Sequence, residues 1–202
     1  MKGLIELLIS IPAIMIATTI HEFTRAAVSS SLGDLLPKEE GRLTLNPLKH
    51  FEPIGLILML SCGFGWGKPV NTSALHYKNR KTGTLITAIL PTIVNLMFGF
   101  VFVGVAIALA SHQYYVGLFF QKAAMYCCCL VVYNLLPVSP MDCVKVLSVL
   151  LPANAYFKYL QYEKIIQVAF LLILFLGYGG IFYTLSHGLY SVMFFLMVSI
   201  FI

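Results

Sequence analysis

Three stretches of this chain carry no Asp, Glu, Lys or Arg: residues 82–121, 123–141 and 165–202. Each is long enough for at least one helix across the hydrocarbon core of a bilayer, which takes about 20 apolar residues. A fourth apolar run begins at Leu4 and passes through His21, Glu22 and Arg25. The composition agrees: 59% of the residues are hydrophobic and 10% charged, with a mean hydropathy of +0.90. A soluble domain is nearer half apolar and a quarter charged. The chain reads as an integral membrane protein with the lipid bilayer as its first partner.

The net charge of +5 is not a nucleic-acid signal. Lys38, Arg42, Lys49, Lys68, Lys78, Arg80 and Lys81 all fall between the first apolar run and the next long one. That is the positive-inside pattern, and it places the loop 34–82 on the cytoplasmic side. The first run is too long, and too interrupted by ionisable residues, for a signal peptide, and no small-residue cleavage site follows a short core. Cys127, Cys128 and Cys129 are consecutive inside a span and read as small buried apolar side chains. Cys62 is isolated, so the five cysteines form no disulfide framework.

The first helix is expected over 3–31, with Pro12 inside it and Gly33-Asp34 at its end. Residues 41–46 alternate like a short strand, and Asn46-Pro47 is a turn. Residues 53–65 are apolar but too short to span, which suits a re-entrant or interfacial segment. Residues 68–72 make a second extended piece. Spans follow over 83–110 and 122–136, joined by a loop over 111–121. Pro137 to Pro140 breaks the third span, and Asp142 is placed to cap a short helix ending near Leu151. Pro152-Ala153-Asn154 is a turn. The remainder fits helices over 165–184 and 188–202, joined at Ser186-His187-Gly188. The expectation is a single transmembrane domain over 1–202: an all-α bundle of about five to six spans, with a small extended or β element near the cytosolic side.

With the basic loop inside, residues 20–26 and 136–142 fall at a similar depth. His21, Glu22, Arg25 and Asp142 are thereby gathered. On a helix, positions 21 and 25 share a face, one turn apart, with 22 beside them. Two histidines at that spacing, with a glutamate after the first, form the zinc-protease signature. The histidines bind metal and the glutamate activates water. Here His21-Glu22-Phe23-Thr24-Arg25 keeps the first histidine and the glutamate, but position 25 is arginine. A guanidinium has no lone pair to give. Glu22 and Asp142 would be costly in hydrocarbon unless paired, and Arg25 reaches Glu22 at i, i+3 spacing.

Several segments, in order, resemble the site-2 proteases, intramembrane zinc metalloproteases, and their small bacterial and archaeal members in particular. These are the His21–Ala26 stretch, then Gly33-Asp34, then Gly41 through His50. Pro53-Ile54-Gly55 and Gly63 through Val70 follow, then Pro91 with Asn95. The last is Asn134-Leu135-Leu136-Pro137-Val138-Ser139-Pro140-Met141-Asp142. The resemblance implies Glu22 as the catalytic base, His21 and Asp142 as zinc ligands, and Asn95, Asn134, Pro69 and Val70 as helix–helix polar groups or substrate groove. The departures are Arg25 for the second histidine, Ile89-Leu90 before Pro91, and Cys143 after the aspartate. The resulting expectation is a zinc-free pseudoprotease that binds a transmembrane client, with Arg25 as the cation replacing the metal. An active zinc endopeptidase, with a replacement ligand from Cys143, His50 or His76, is the alternative. An ion or proton path through Glu22, Arg25 and Asp142 is a third reading.

Overall fold

The first helix, α1 (Lys2–Ser31), is about 45 Å long at 1.5 Å per residue and carries the motif in its last third. The computed structural model describes residues 2–201; the side chains of Lys2, Cys62, Tyr178 and Phe201, and all of Met1 and Ile202, lie outside the described set. Hydroxyls along α1 turn back onto its own carbonyls, as Thr18 does to Ile14 O at 3.0 Å and Thr24 to Ile20 O at 2.7 Å. This satisfies donors that hydrocarbon cannot. Gly33, at φ 105°, ends the helix in the left-handed region.

A short helix, α2 (Leu36–Glu39), and a 3-10 turn at Pro47–Lys49 follow. Next comes α3 (Pro53–Cys62), about 15 Å long and so too short to span. Gly63, at φ 71°, closes it. The long helices are α4 (Arg80–Leu109), begun by the Asn79 side chain accepting from Thr82 N, and α5 (Tyr114–Asn134). They are followed by α6 (Asp142–Leu150), α7 (Ala153–Ile173), a π-helical turn at Leu174–Tyr178, and α8 (Gly179–Phe201). Among the described residues, five helices are long and apolar enough to cross a membrane: α1, α4, α5, α7 and α8. The chain is an integral membrane protein with a helical bundle architecture.

The expected extended or β element does not form a sheet: residues 41–46 hold a turn and bends, and 68–72 carry no regular structure. Among the described residues, 41–46 and 68–72 form no strand ladder. Their polar groups are taken elsewhere: Thr44 O accepts from His50 Nε2, and Asn46 Oδ1 accepts from Leu48 N. One backbone bond, Lys68 N to His50 O at 2.9 Å, ties the second segment to the end of the 3-10 turn, and Arg42 Nη2 donates to Lys68 O across the two segments.

Several boundaries differ from the sequence reading. Helix α7 begins at Ala153, twelve residues before the expected 165, and takes in Ala153 and Asn154 of the expected turn, with Pro152 as its N-cap. The loop expected over 111–121 shrinks to a tight connection, and α5 starts at Tyr114. Its aromatic first turns pack edge to face, Tyr114 on Tyr115 and Phe119 on Phe120. Asp142 does not cap α6: Met141 is the N-cap and Asp142 the first helical residue, its carboxylate turned to α1. The joint between the last two spans is not at Ser186-His187-Gly188, where Ser186 is fully buried inside α8. It lies at the π-helical turn, beside Gly177, Gly179 and Gly180. Phe170 and Phe182 would stand about 18 Å apart on a straight helix, yet their rings are 5.7 Å apart. The helix therefore bends sharply there, as π turns commonly do.

The core sits among α1, α4 and α5. Small residues let these backbones approach: Ala13, Ala17, Ala88, Ala123 and Ala124 are all essentially buried. Phe64, carried by the loop after α3, packs on Tyr133 (4.6 Å), Phe170 (5.1 Å) and Phe182. The loop after α3 is thereby wedged against α5, α7 and α8, and the stretch beyond it is delivered to α1.

Candidate functional site

Three elements meet at the motif. The last third of α1 presents His21, Glu22 and Arg25; the first turn of α6 presents Asp142; the segment 68–72 lies across them. All four side chains are buried, Arg25 and Asp142 to 2% exposure. Their partners are one another. Arg25 Nη1 donates to both Glu22 oxygens, at 3.0 and 2.8 Å, and Nη2 donates to Asp142 Oδ1 at 2.6 Å. His21 Nε2 is 2.9 Å from Asp142 Oδ2 and 3.1 Å from Arg25 Nη2.

Burial by itself would raise the Asp142 carboxyl, but Arg25, and then His21, hold it well below the usual carboxylate range. It is therefore an anion and acts only as an acceptor. The consistent tautomer has His21 Nε2–H donating to Asp142, with Asn95 Nδ2 donating to Nδ1 at 3.4 Å. Asn134 supports the other side: its Oδ1 accepts from Asp142 N at 3.1 Å, and its Nδ2 donates to Leu130 O. Val70 N–H donates to Glu22 Oε2 at 2.8 Å, and Pro69 lines the same small space. The structure thus brings together all eight residues singled out in the sequence.

Several contributors had no sequence signal. Arg42 is buried, donates to Lys68 O at 2.5 Å and adds positive charge toward Glu22. Lys145 lies one turn beyond Asp142 and donates to Thr72 Oγ1 at 3.3 Å. Burial, with repulsion from Arg25, pushes its amine down to about 8. The segment 68–73 is further anchored by Asn71 Nδ2 to Glu40 Oε1 and by Ser73 N to Asp34 Oδ2. Contacts like these depend on how loops fold back, which residue spacing does not encode.

A catalytic zinc needs three protein donors about 2.0–2.3 Å from one point, and an open position for water. The donors here do not meet that requirement. Arg25 Nη2 sits against both His21 Nε2 and Asp142 Oδ1, and the Glu22 carboxylate is spent on Arg25 and Val70. The space left between Thr18, Trp66, Pro69 and Met141 is about 10 Å³, at the lower bound for one water. Among the described residues, no group of three or more His, Cys, Asp or Glu is placed so that it could hold a metal ion. The replacement ligands do not arrive. Cys143 is half-buried, and burial pushes its thiol up, away from thiolate. His50 is fully buried, with Nε2 on Thr44 O, and His76 is exposed in a 3-10 turn.

No family model and no solved structure matches the chain. A protein of Bacillus subtilis (strain 168) named "Putative zinc metalloprotease YwhC" is 30% identical over 170 residues, which cover 79% of this chain and 77% of that protein. A match of that identity spans more than the motif helix and reaches most of both chains. The chain therefore belongs to the metalloprotease family of that Bacillus protein.

Proposed function

We propose that this protein is a site-2-protease-like pseudoprotease: a membrane protein that keeps the framework of an intramembrane metalloprotease, holds no catalytic zinc, and binds a transmembrane client. The observation that carries the reading is the guanidinium of Arg25, which bonds Glu22 and Asp142 and touches His21 Nε2. A unit charge about 4 Å from another interacts by about 4 kcal/mol at an effective dielectric of 20, and a dication doubles that. Zinc would meet repulsion of this size with one ligand already missing. Structural zinc sites bind by about 10–16 kcal/mol, so much of that affinity is lost. Arg25 instead pairs with both carboxylates that a metal-free site would otherwise leave without a cation, and the His21 and Val70 N–H donors complete their coordination.

Client binding rests on the segment 68–72, which lies over the site outside any helix and pairs with no strand among the described residues. Such a segment can receive a client stretch by backbone pairing. The basic loop 34–82 belongs to the cytoplasmic face in this reading, and the membrane is the plasma membrane of a prokaryote.

The test has two arms. Metal analysis of the purified protein is expected to show zinc far below one per chain. Near-stoichiometric zinc that disappears in His21→Ala would sink the pseudoprotease reading. A photoreactive residue at Asn71 is expected to capture a transmembrane protein in native membranes; silence there, with reactivity elsewhere, removes the client-binding half.

A further inference from the structure

A second site lies away from the Arg25 cluster, toward the other membrane face. A cavity of about 460 Å³ opens between α3, α5 and the bend from α7 to α8. Met59, Leu60, Met125, Cys129 and Leu174 form its apolar wall, and Lys122 stands at its rim. Lys122 is the only charged residue on α5. A lysine this near the end of a span carries its ammonium to the interface, where it can meet an anionic head group. Its partner Glu6 is 3.9 Å away, too far for a hydrogen bond, and that carboxylate is half exposed. A second space of about 280 Å³ shares Lys122, Met125 and Tyr183 with the first and adds Glu6, Leu118, Gln121, His187 and Tyr190, so a head group at Lys122 has the Glu6 carboxylate as its neighbour. The ammonium thus sits where two cavities join.

The arrangement is polarised. Lys122 and Glu6 lie within the first turns of α5 and α1 that follow Tyr114 and Lys2, so both belong near one membrane face. Cys129 lies seven residues deeper on α5, about 10 Å toward the bilayer centre. Ser61 and Tyr183 are exposed, so the cavity opens sideways to lipid. Ligand sites of this type are largely apolar, with a few convergent polar groups, and measure about 300–1,000 Å³. At about 460 Å³ the cavity lies toward the small end of that range, which favours one acyl chain over two.

We infer that this cavity binds a single-chain anionic amphiphile, a long-chain carboxylate, with its head on Lys122 and its tail along Met125, Met59 and Cys129. The tail fills space that water cannot occupy favourably, and the head supplies the close anion that Glu6 does not.

The full chain in phosphatidylcholine nanodiscs, titrated with radiolabelled hexadecanoate, tests this. Saturable binding near one per chain is expected. Lys122→Gln weakens it by about tenfold, the loss of one hydrogen bond to a charged group. Lys122→Arg retains it, and Met125→Trp, which fills the cavity, removes it. Hexadecanol binds about tenfold more weakly than hexadecanoate, since it lacks the charge. Equal, unsaturable uptake by wild type, Lys122→Gln and Met125→Trp overturns the proposal, as bilayer partitioning alone. Displacement of hexadecanoate by equimolar phosphatidylglycerol overturns the single-chain assignment. Displacement by a transmembrane peptide overturns it in favour of a protein ligand.

Discussion

Arg25 Nη2 lies 2.6 Å from Asp142 Oδ1, joining α1 to α6 across 117 positions of sequence. Both side chains are buried, so the contact is a charge-assisted bond in a place that water does not reach. Removing one partner leaves the other uncompensated. Arg25→Gln is therefore expected to destabilise by about 3–5 kcal/mol, read as a lowered thermal midpoint in detergent. An unchanged midpoint means that the ion pair does not hold the site.

Arg25→His restores the two-histidine spacing on α1 and removes the guanidinium from the gap between His21 and Asp142. The variant is expected to take up about one zinc per chain, in contrast to the parent chain. Atomic absorption on protein purified with and without zinc reads this directly, whether or not cleavage activity appears. Failure to bind zinc means that the surrounding shell, and not Arg25 alone, excludes the metal.

Asp34 is fully buried at the end of α1. It accepts from Ser29 Oγ at 2.6 Å, Ser73 N at 2.8 Å and Leu36 N at 3.1 Å. Burial alone would raise its carboxyl, but these bonds hold it below the usual carboxylate range. A depressed folded-state pKa stabilises the fold above the unfolded value, about 3.9. That stability is lost as pH falls through the folded value. Stability should therefore decline below about pH 4, and Asp34→Asn should flatten that decline. It should also cost about 1–3 kcal/mol near neutrality, where a buried donor is left unsatisfied. Unfolding midpoints from pH 3 to 7 for both proteins check the sign; a parallel pair of curves counts against it.

Gly55 in α3 faces the loop that carries Trp66. A Cβ there would stand 1.9 Å from Trp66 O, a backbone atom that no rotamer change can move. Gly55→Ala is expected to cost at least about 1–3 kcal/mol, as overpacking does. It should also displace the loop that leads to Val70. Gly41→Ala, with no atom within 4 Å but a φ of 64°, serves as the control for backbone strain without collision.

The topology makes a separate prediction. Lys78 and His112 are exposed at opposite ends of α4. In spheroplasts, cysteine at position 112 should react with a membrane-impermeant maleimide, and cysteine at 78 should react only after permeabilisation. The reverse pattern would place the basic loop outside.

Much of this architecture was legible in the chain. Charge-free runs set the membrane class, and the backbone's need for internal hydrogen bonds made those runs helices. Pro and Gly punctuation located α3 and the end of α1. The spacing of His21, Glu22 and Arg25 follows from helical geometry wherever the helix lies. Two expectations failed because local signals were read without their tertiary counterweights. Ser186-His187-Gly188 resembles a turn, yet Ser186 donates to Phe182 O and lies buried within α8. Residues 111–121 resemble a loop, but the aromatic residues from Tyr114 onward gain more as helix.

The sequence alone determined that two carboxylates, one histidine and one guanidinium would be confined at similar depth in a medium that penalises unpaired charge. It did not determine which would touch. That was decided when the wedge of Phe64 against Tyr133, Phe170 and Phe182 delivered Val70 to Glu22, and when α6 began at Asp142 with its carboxylate facing α1. Pairing distances of 2.6–3.1 Å depend on how helices from distant parts of the chain pack, and burial makes each of those distances decisive for whether the site holds a metal or its own cation.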